Sequence, residues 1–193
     1  MNDEVYGDDP VTTHFIGGPY RGDEMIHDEN PFIEEPERRD PVRRFRGRLT
    51  APVTIVTSGS GERRTGLTVS SLLVIDGDPG FVEMVVGPTS DLWHTIVESG
   101  RFVVHICHRE DRHLSEVFAG LRPFPGGVFA GVDITDSGYG PIIDRLASRA
   151  YCRLVDQHEL AYEGLVRGEI DEVTAGDITD PLVYFRGGYH SLG

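Results

Sequence analysis

The chain contains no lysine, and all 18 of its basic residues are arginine. A lysine Schiff base and the lysine of a phosphate-binding P-loop are therefore excluded. Compositional bias in the source genome is the plainest reason. Cysteine is scarce too, with only Cys107 and Cys152. Two cysteines make no disulfide framework. Both lie in apolar, strand-like stretches, so buried free thiols are expected. No hydrophobic run is long enough to cross a bilayer. The opening Met1-Asn2-Asp3-Glu4 is acidic and lacks an apolar segment, which argues against a leader peptide and for a cytoplasmic protein. Positive charge is deficient overall, the formal net charge being -14. Such a surface repels phosphate backbones and anionic headgroups, so neither nucleic acid nor membrane is expected as a partner.

Several catalytic signatures are missing as well. There is no nucleophile elbow, no His-Glu-x-x-His and no matched Ser/His/Asp set. Gly59-Ser60-Gly61 follows a strand-like run but lacks the third glycine and the helix of a dinucleotide fingerprint, so a hairpin is expected there. His105, Cys107, His108 and His113 form the densest group of metal-ligand types. Their spacing matches no zinc pattern, and structural histidines are the preferred reading, with no metal expected.

What is present suits one domain with an extension. Residues 1–39 read as an acidic, partly ordered N-terminal extension. From Met1 to Asp40 twelve Asp and Glu face three Arg, a balance of -9, and the other 153 residues carry only -5. Scattered apolar residues there (Phe15, Ile16, Met25, Ile26, Phe32, Ile33) could dock as an arm on the barrel or on a partner subunit. The folded domain is expected over 40–193. Asp40 and Pro41 suit the cap and first position of a short helix with Phe45 inward.

Strand signals then dominate. Val53 to Thr57 is β-branched throughout. Gly66 to Val74 reads as one returning strand, on which Thr68 and Ser70 face one way and Ser71 the other. Phe81 to Val86 is a third strand. Asp91 to Ser99 reads as a helix stopped by Gly100. Arg101 to Cys107 is a strand, Asp111 to Ala119 a helix, and 120–140 a Gly- and Pro-rich loop. Leu146 to Val155, Gly164 to Val173 and Leu182 to Phe185 complete roughly seven strands. The fold class expected is mainly β, an antiparallel split barrel with a few short capping helices.

Two segments have binding chemistry. Thr68-Val69-Ser70-Ser71-Leu72 offers three hydroxyls and backbone amides. Gly87-Pro88-Thr89-Ser90-Asp91 lies between a strand and a helix, where a Ser or Thr caps the end and free N–H groups suit a phosphate.

With Pro52 to Thr57, Gly66 to Ser71, Asp78-Pro79, Ser99 to Val104, Leu114 to Ala119, Ala150 to Arg153, Gly168 to Ile170 and Pro181 to His190, in that order and spacing, the chain resembles the flavin reductase-like family, which adopts an FMN-binding split barrel. The likeness runs from about Asp40 to Leu192. It implies an NAD(P)H:flavin oxidoreductase, with FMN, or else FAD or a deazaflavin, as the flavin and NAD(P)H as co-substrate. It implies cofactor contacts from Thr68, Val69, Ser70, Ser71, Leu72, Gly87, Thr89 and Ser90. It also implies a homodimer, and reduced flavin delivered to a partner monooxygenase. His190 is a weak candidate for the nicotinamide side, a surface histidine being an equal reading. The family's Ser-x-Thr phosphate loop is incomplete here, because Leu92 takes the Thr place and Pro88 that of a basic residue. Arg46, Arg48, Arg63 or Arg64 could compensate. The altered loop keeps open a deazaflavin-dependent oxidoreductase. The lack of catalytic groups keeps open a non-catalytic flavin carrier or sensor.

Overall fold

The computed structural model describes residues 41–192. The extension at 1–39 and the capping Asp40 lie outside the described residues. The chain opens on α1 (Pro41–Arg46), which buries none of its residues. Phe45, expected inward, is 65% exposed. At six residues the helix is too short to build an apolar stripe.

The main sheet has seven antiparallel strands. In chain order these are β2 (Thr54–Ser58), β3 (Thr65–Val69), β4 (Leu72–Ile75), β5 (Phe81–Val86), β6 (Arg101–Ile106), β9 (Arg149–Leu160) and β10 (Glu163–Thr174). Their spatial order is β3-β2-β6-β9-β10-β5-β4. Two smaller sheets join β1 (Ala51–Pro52) with β11 (Leu182–Phe185) and β12 (Gly188–Ser191), and β7 (Ile134–Ser137) with β8 (Gly140–Ile143). The loop expected over 120–140 therefore ends in a hairpin. Its alternation is too short, among glycines and a proline, to stand out.

The largest departure from expectation is at Gly66 to Val74. The segment is two strands, interrupted at Ser70-Ser71. β3 pairs with β2 and β4 with β5, so the two halves lie at opposite edges of the sheet. The alternation expected to carry Ser70 and Ser71 thus stops at Val69.

The sheet curls about one core. Val56, Val69, Val82, Met84, Phe102, Val104, Cys152 and Val166 point into it from six of the strands, and Leu72 of β4 packs against it. The helix α2 (Asp91–Ser99) plugs this core with Leu92, Trp93 and Ile96. Each such side chain contributes roughly 1.5–3 kcal/mol by leaving water. A Cβ on Gly164 of β10 would stand 2.3 Å from the Trp93 ring, so glycine is what lets the helix lie on the strand. A second core holds Val53, Ile55, Ile143, Leu146 and Leu182 with Leu114, Val117 and Phe118 of α3 (Arg112–Phe118). Every residue of β2 is buried, because Val56 serves one core and Ile55 the other. A strand covered on both faces explains its unbroken β-branched run. Both cysteines are free and buried. Burial pushes the Cys152 thiol up to about 12, and that of Cys107 higher, so neither is a reactive thiolate.

Candidate functional site

The break between β3 and β4 brings the two predicted segments together. The Val85 amide donates to the Ser71 carbonyl at 2.9 Å, and Leu72 pairs with Met84. Ser70-Ser71 therefore lies beside the end of β5, where the chain turns through Gly87 to Ser90 into α2. Thr68, on β3, donates its hydroxyl to the Ser115 carbonyl of α3 at 2.6 Å. Val69 is buried, while Ser70, Ser71, Leu72 and Gly87 are half-buried and Thr89 is exposed.

Ser90 caps α2. Its Oγ accepts from the Trp93 amide at 3.2 Å and donates to the Gly87 carbonyl at 2.7 Å. The Asp91 and Leu92 amides have no partner within the helix, as in any first helical turn. At the other end Gly100 closes the helix with φ 68.

A cleft of about 630 Å³ opens next to these segments. On one side lie Glu62, Arg64, Thr65, Gly66 and Asp91, and on the other Gly126 to Phe129. The Arg64 guanidinium stacks 5.5 Å from the centre of the Phe129 ring. Phe129 meets Phe118 edge-on at 5.2 Å, and a Cβ on Gly66 would strike that Phe118 ring at 2.6 Å. Neither Phe129 nor Gly126-Gly127 stands out in the sequence, because the cleft joins segments some sixty residues apart that share no motif.

The four arginines named as substitutes for the missing basic residue separate here. Arg63 is ion-paired with Glu98 of α2. Arg46 and Arg48 are exposed beside α1, away from the cleft lining. Arg64 alone of the four lines the cleft. Leu92, in the family's Thr place, is 1% exposed and belongs to the core, so it offers nothing to a ligand.

The residues fit a flavin in part. The segments 68–72 and 87–90 carry hydroxyls and amides of the kind a ribityl chain and pyrimidine edge require, and they adjoin the cleft rather than line it. The phosphate end is less well provided. Asp91 occupies the first turn of α2, where it competes with an anion for the positive end of the helix.

The histidine group dissolves as a metal candidate. His105 is fully buried, its Nδ1 lying 3.0 Å from the Ile55 carbonyl and its Nε2 accepting from the Ile143 amide at 3.2 Å. Since Nε2 accepts, the proton is on Nδ1 and donated to Ile55. Burial lowers its pKa to about 4, keeping the ring neutral. Among the described residues no group of three or more His, Cys, Asp or Glu is placed to hold a metal ion. His190 is exposed on β12, a strand not separated from β11 in the sequence reading, with its ring 6.1 Å from Phe185.

A small curled barrel with hydroxyls at the seam of its sheet and an open cleft beside it defines a ligand-binding split barrel. A model of the flavin reductase like domain family matches residues 46–193. The chain belongs to that family. It is similar to the NADH-dependent FMN reductase AsuE2 of Streptomyces nodosus subsp. asukaensis, with 34% identity over 82% of this chain and 86% of the relative. It is also similar to the reductase component of 4-hydroxyphenylacetate 3-monooxygenase from Thermus thermophilus, with 29% identity over 75% of this chain and 91% of that one. Among solved structures, a homologue of nitrilotriacetate monooxygenase component B from Mycobacterium thermoresistibile superposes with a TM-score of 0.71. Identity is 30%, and 79% of this chain and 85% of that one are covered.

Proposed function

We propose that this protein is an NADH-dependent flavin reductase that binds FMN along 68–72 and 87–90 and passes reduced flavin to a monooxygenase component. The observation that carries the reading is the meeting of those two segments at the sheet seam, next to an open cleft. The names of AsuE2 and the 4-hydroxyphenylacetate 3-monooxygenase component support the donor and the destination. A bound flavin supplies the ring that accepts hydride. The chain's own part is to hold and orient. Thr68, Ser70 and Ser71 would line the polar edge of the ligand. The Asp91 amide, at the start of α2, would meet the phosphate. Val69 and Leu72 present apolar surface beside the ring. No side chain is required to move a proton, which agrees with the missing acid–base signature. A homodimer, implied by the family resemblance, is part of this proposal. No helix among the described residues is long and apolar enough to cross a membrane.

A second reading is favoured by the burial of Leu92 and the carboxylate of Asp91, namely a deazaflavin in place of FMN. One experiment separates them. The protein is mixed anaerobically with FMN, and NADH or NADPH is added in separate cuvettes. Catalytic bleaching of the flavin band, faster with NADH, is expected. That outcome also removes the carrier or sensor reading. Failure to bind FMN, together with tight binding of the deazaflavin, would replace the first reading by the second.

A further inference from the structure

Glu116 is an acid the proposed chemistry does not use, and its surroundings are unusual. It lies on α3 and is 5% exposed. Its Oε1 accepts from Arg112 Nε at 2.9 Å and its Oε2 from Arg122 Nε at 2.5 Å. Burying a carboxylate is unfavourable unless it is paired and hydrogen-bonded, and removing one partner of such a group is strongly destabilising. An ordinary surface ion pair would contribute little. Here burial pushes the carboxyl up, but the bonds from Arg122 and Arg112 outweigh burial and hold it below the usual carboxylate range. The group is therefore charged wherever the protein is folded near neutrality.

The two arginines lead in different directions. Arg112 lies over the Tyr189 ring of β12, 5.9 Å from its centre. Arg122 begins the segment that walls the cleft. Beyond it the chain runs through Pro123-Phe124-Pro125 into Gly126 and Gly127, whose φ values of 93 and 90 only glycine adopts readily. It then reaches Phe129, seated edge-on against Phe118. The 120–133 segment is thus held near its start by the Arg122 ion pair and further on by Val128, Phe129 and Val132, which pack against the second core. The stretch from Gly126 to Phe129 is the face that opposes Thr65, Gly66 and Asp91 across the cleft.

We propose that Glu116 is a positioning residue for the second substrate: through Arg122 it fixes the wall of the cleft, and so sets the affinity for the nicotinamide dinucleotide. This rests on the flavin reductase reading, which places that substrate beside the flavin. The arrangement assigns unlike roles to two bonds on one carboxylate. Releasing Arg122 frees the wall, whereas releasing Arg112 costs stability and the contact to β12 but leaves the wall tied to Glu116.

The test uses the full chain with FMN. Steady-state KM and kcat for NADH, FMN affinity by fluorescence quenching, and hydrogen exchange of peptides from 120–133 are measured for wild type, Glu116→Gln, Arg122→Ala, Arg122→Lys and Arg112→Ala. Glu116→Gln and Arg122→Ala should raise KM about tenfold, equivalent to about 1.4 kcal/mol of lost binding. In both, kcat and FMN affinity should be unchanged and exchange over 120–133 faster. Arg122→Lys should restore most of the KM, and Arg112→Ala should leave it near wild type. The proposal is overturned by an unchanged KM in Glu116→Gln, by equal effects of Arg112→Ala and Arg122→Ala, or by FMN affinity falling in step with KM. A general loosening of α3 would give the latter two results. Should wild type fail to oxidise NADH with any flavin, the function proposed above fails, while the exchange comparison still decides whether Glu116 fixes the wall. Exchange unaltered in Glu116→Gln overturns that.

Discussion

Substituting His105 should erase a specific part of the protein's acid sensitivity. Both ring nitrogens are bonded, to Ile55 on β2 and to Ile143 on β8, and the ring is sealed from solvent. The folded protein therefore resists protonating it, with a pKa near 4 against 6.5 in the unfolded chain. Between those values the unfolded chain binds a proton that the native state does not. Stability from this group is complete above pH 6.5, falls as the pH drops towards 4, and levels off below that. A difference of 2.5 units, at about 1.4 kcal/mol each, is about 3 kcal/mol. The assay is the urea unfolding free energy across that window for wild type and His105→Gln. Glutamine can still accept from the Ile143 amide but leaves the Ile55 carbonyl without its donor, at a cost of about 1–3 kcal/mol near neutrality. Its stability should then change little as the pH falls from 6.5 to 4, so the two curves converge. Paired carboxylates such as Glu116 lose their contribution lower, below 4.5, and do so in both proteins. Parallel curves for wild type and variant would refute the assignment of a neutral, doubly bonded ring.

Other substitutions probe the remaining joints. Gly164→Ala places a methyl 2.3 Å from the Trp93 ring and should cost about 1–3 kcal/mol in a thermal or urea melt. Because Trp93 is the only tryptophan, its emission reports the displacement directly. Phe118→Ala empties the second core where Phe129 leans on it and should cost about 3–5 kcal/mol, read by urea unfolding. Ser90→Ala removes the α2 cap and should cost about 1 kcal/mol in the same assay. Weaker FMN binding, beyond that loss of stability, is expected if Ser90 also meets the phosphate.

Much of this fold was legible because local signals agreed with tertiary need. Phe81 to Val86 alternates and is β5 to the residue. Ser90 and Gly100 bracket α2 as cap and stop. The break at Ser70-Ser71 was not legible. Gly66-Leu67-Thr68-Val69-Ser70-Ser71-Leu72-Leu73-Val74 is uniformly compatible with strand, and only the pairing of its halves with different neighbours interrupts it. The binding segments could be named from their hydroxyls and their place before a helix, but not the cleft. Arg64 and Phe129 meet through a loop whose path local sequence does not specify. For His105 the preferred structural reading agrees with the fold, but its partners were not legible: its nitrogens tie backbone to backbone between strands contributed from far along the chain.

The crossing at Ser70-Ser71 also gives the barrel a single covalent stitch between its two free edges. A molecule gripping Thr68 on one side and the Gly87 to Ser90 turn on the other would act as a hoop round the staves. Its occupancy would then enter the unfolding equilibrium, adding about 2.7 kcal/mol when the ligand stands a hundredfold above its dissociation constant. Flavin supply would thereby govern how long each copy of the protein survives, as well as how fast it works.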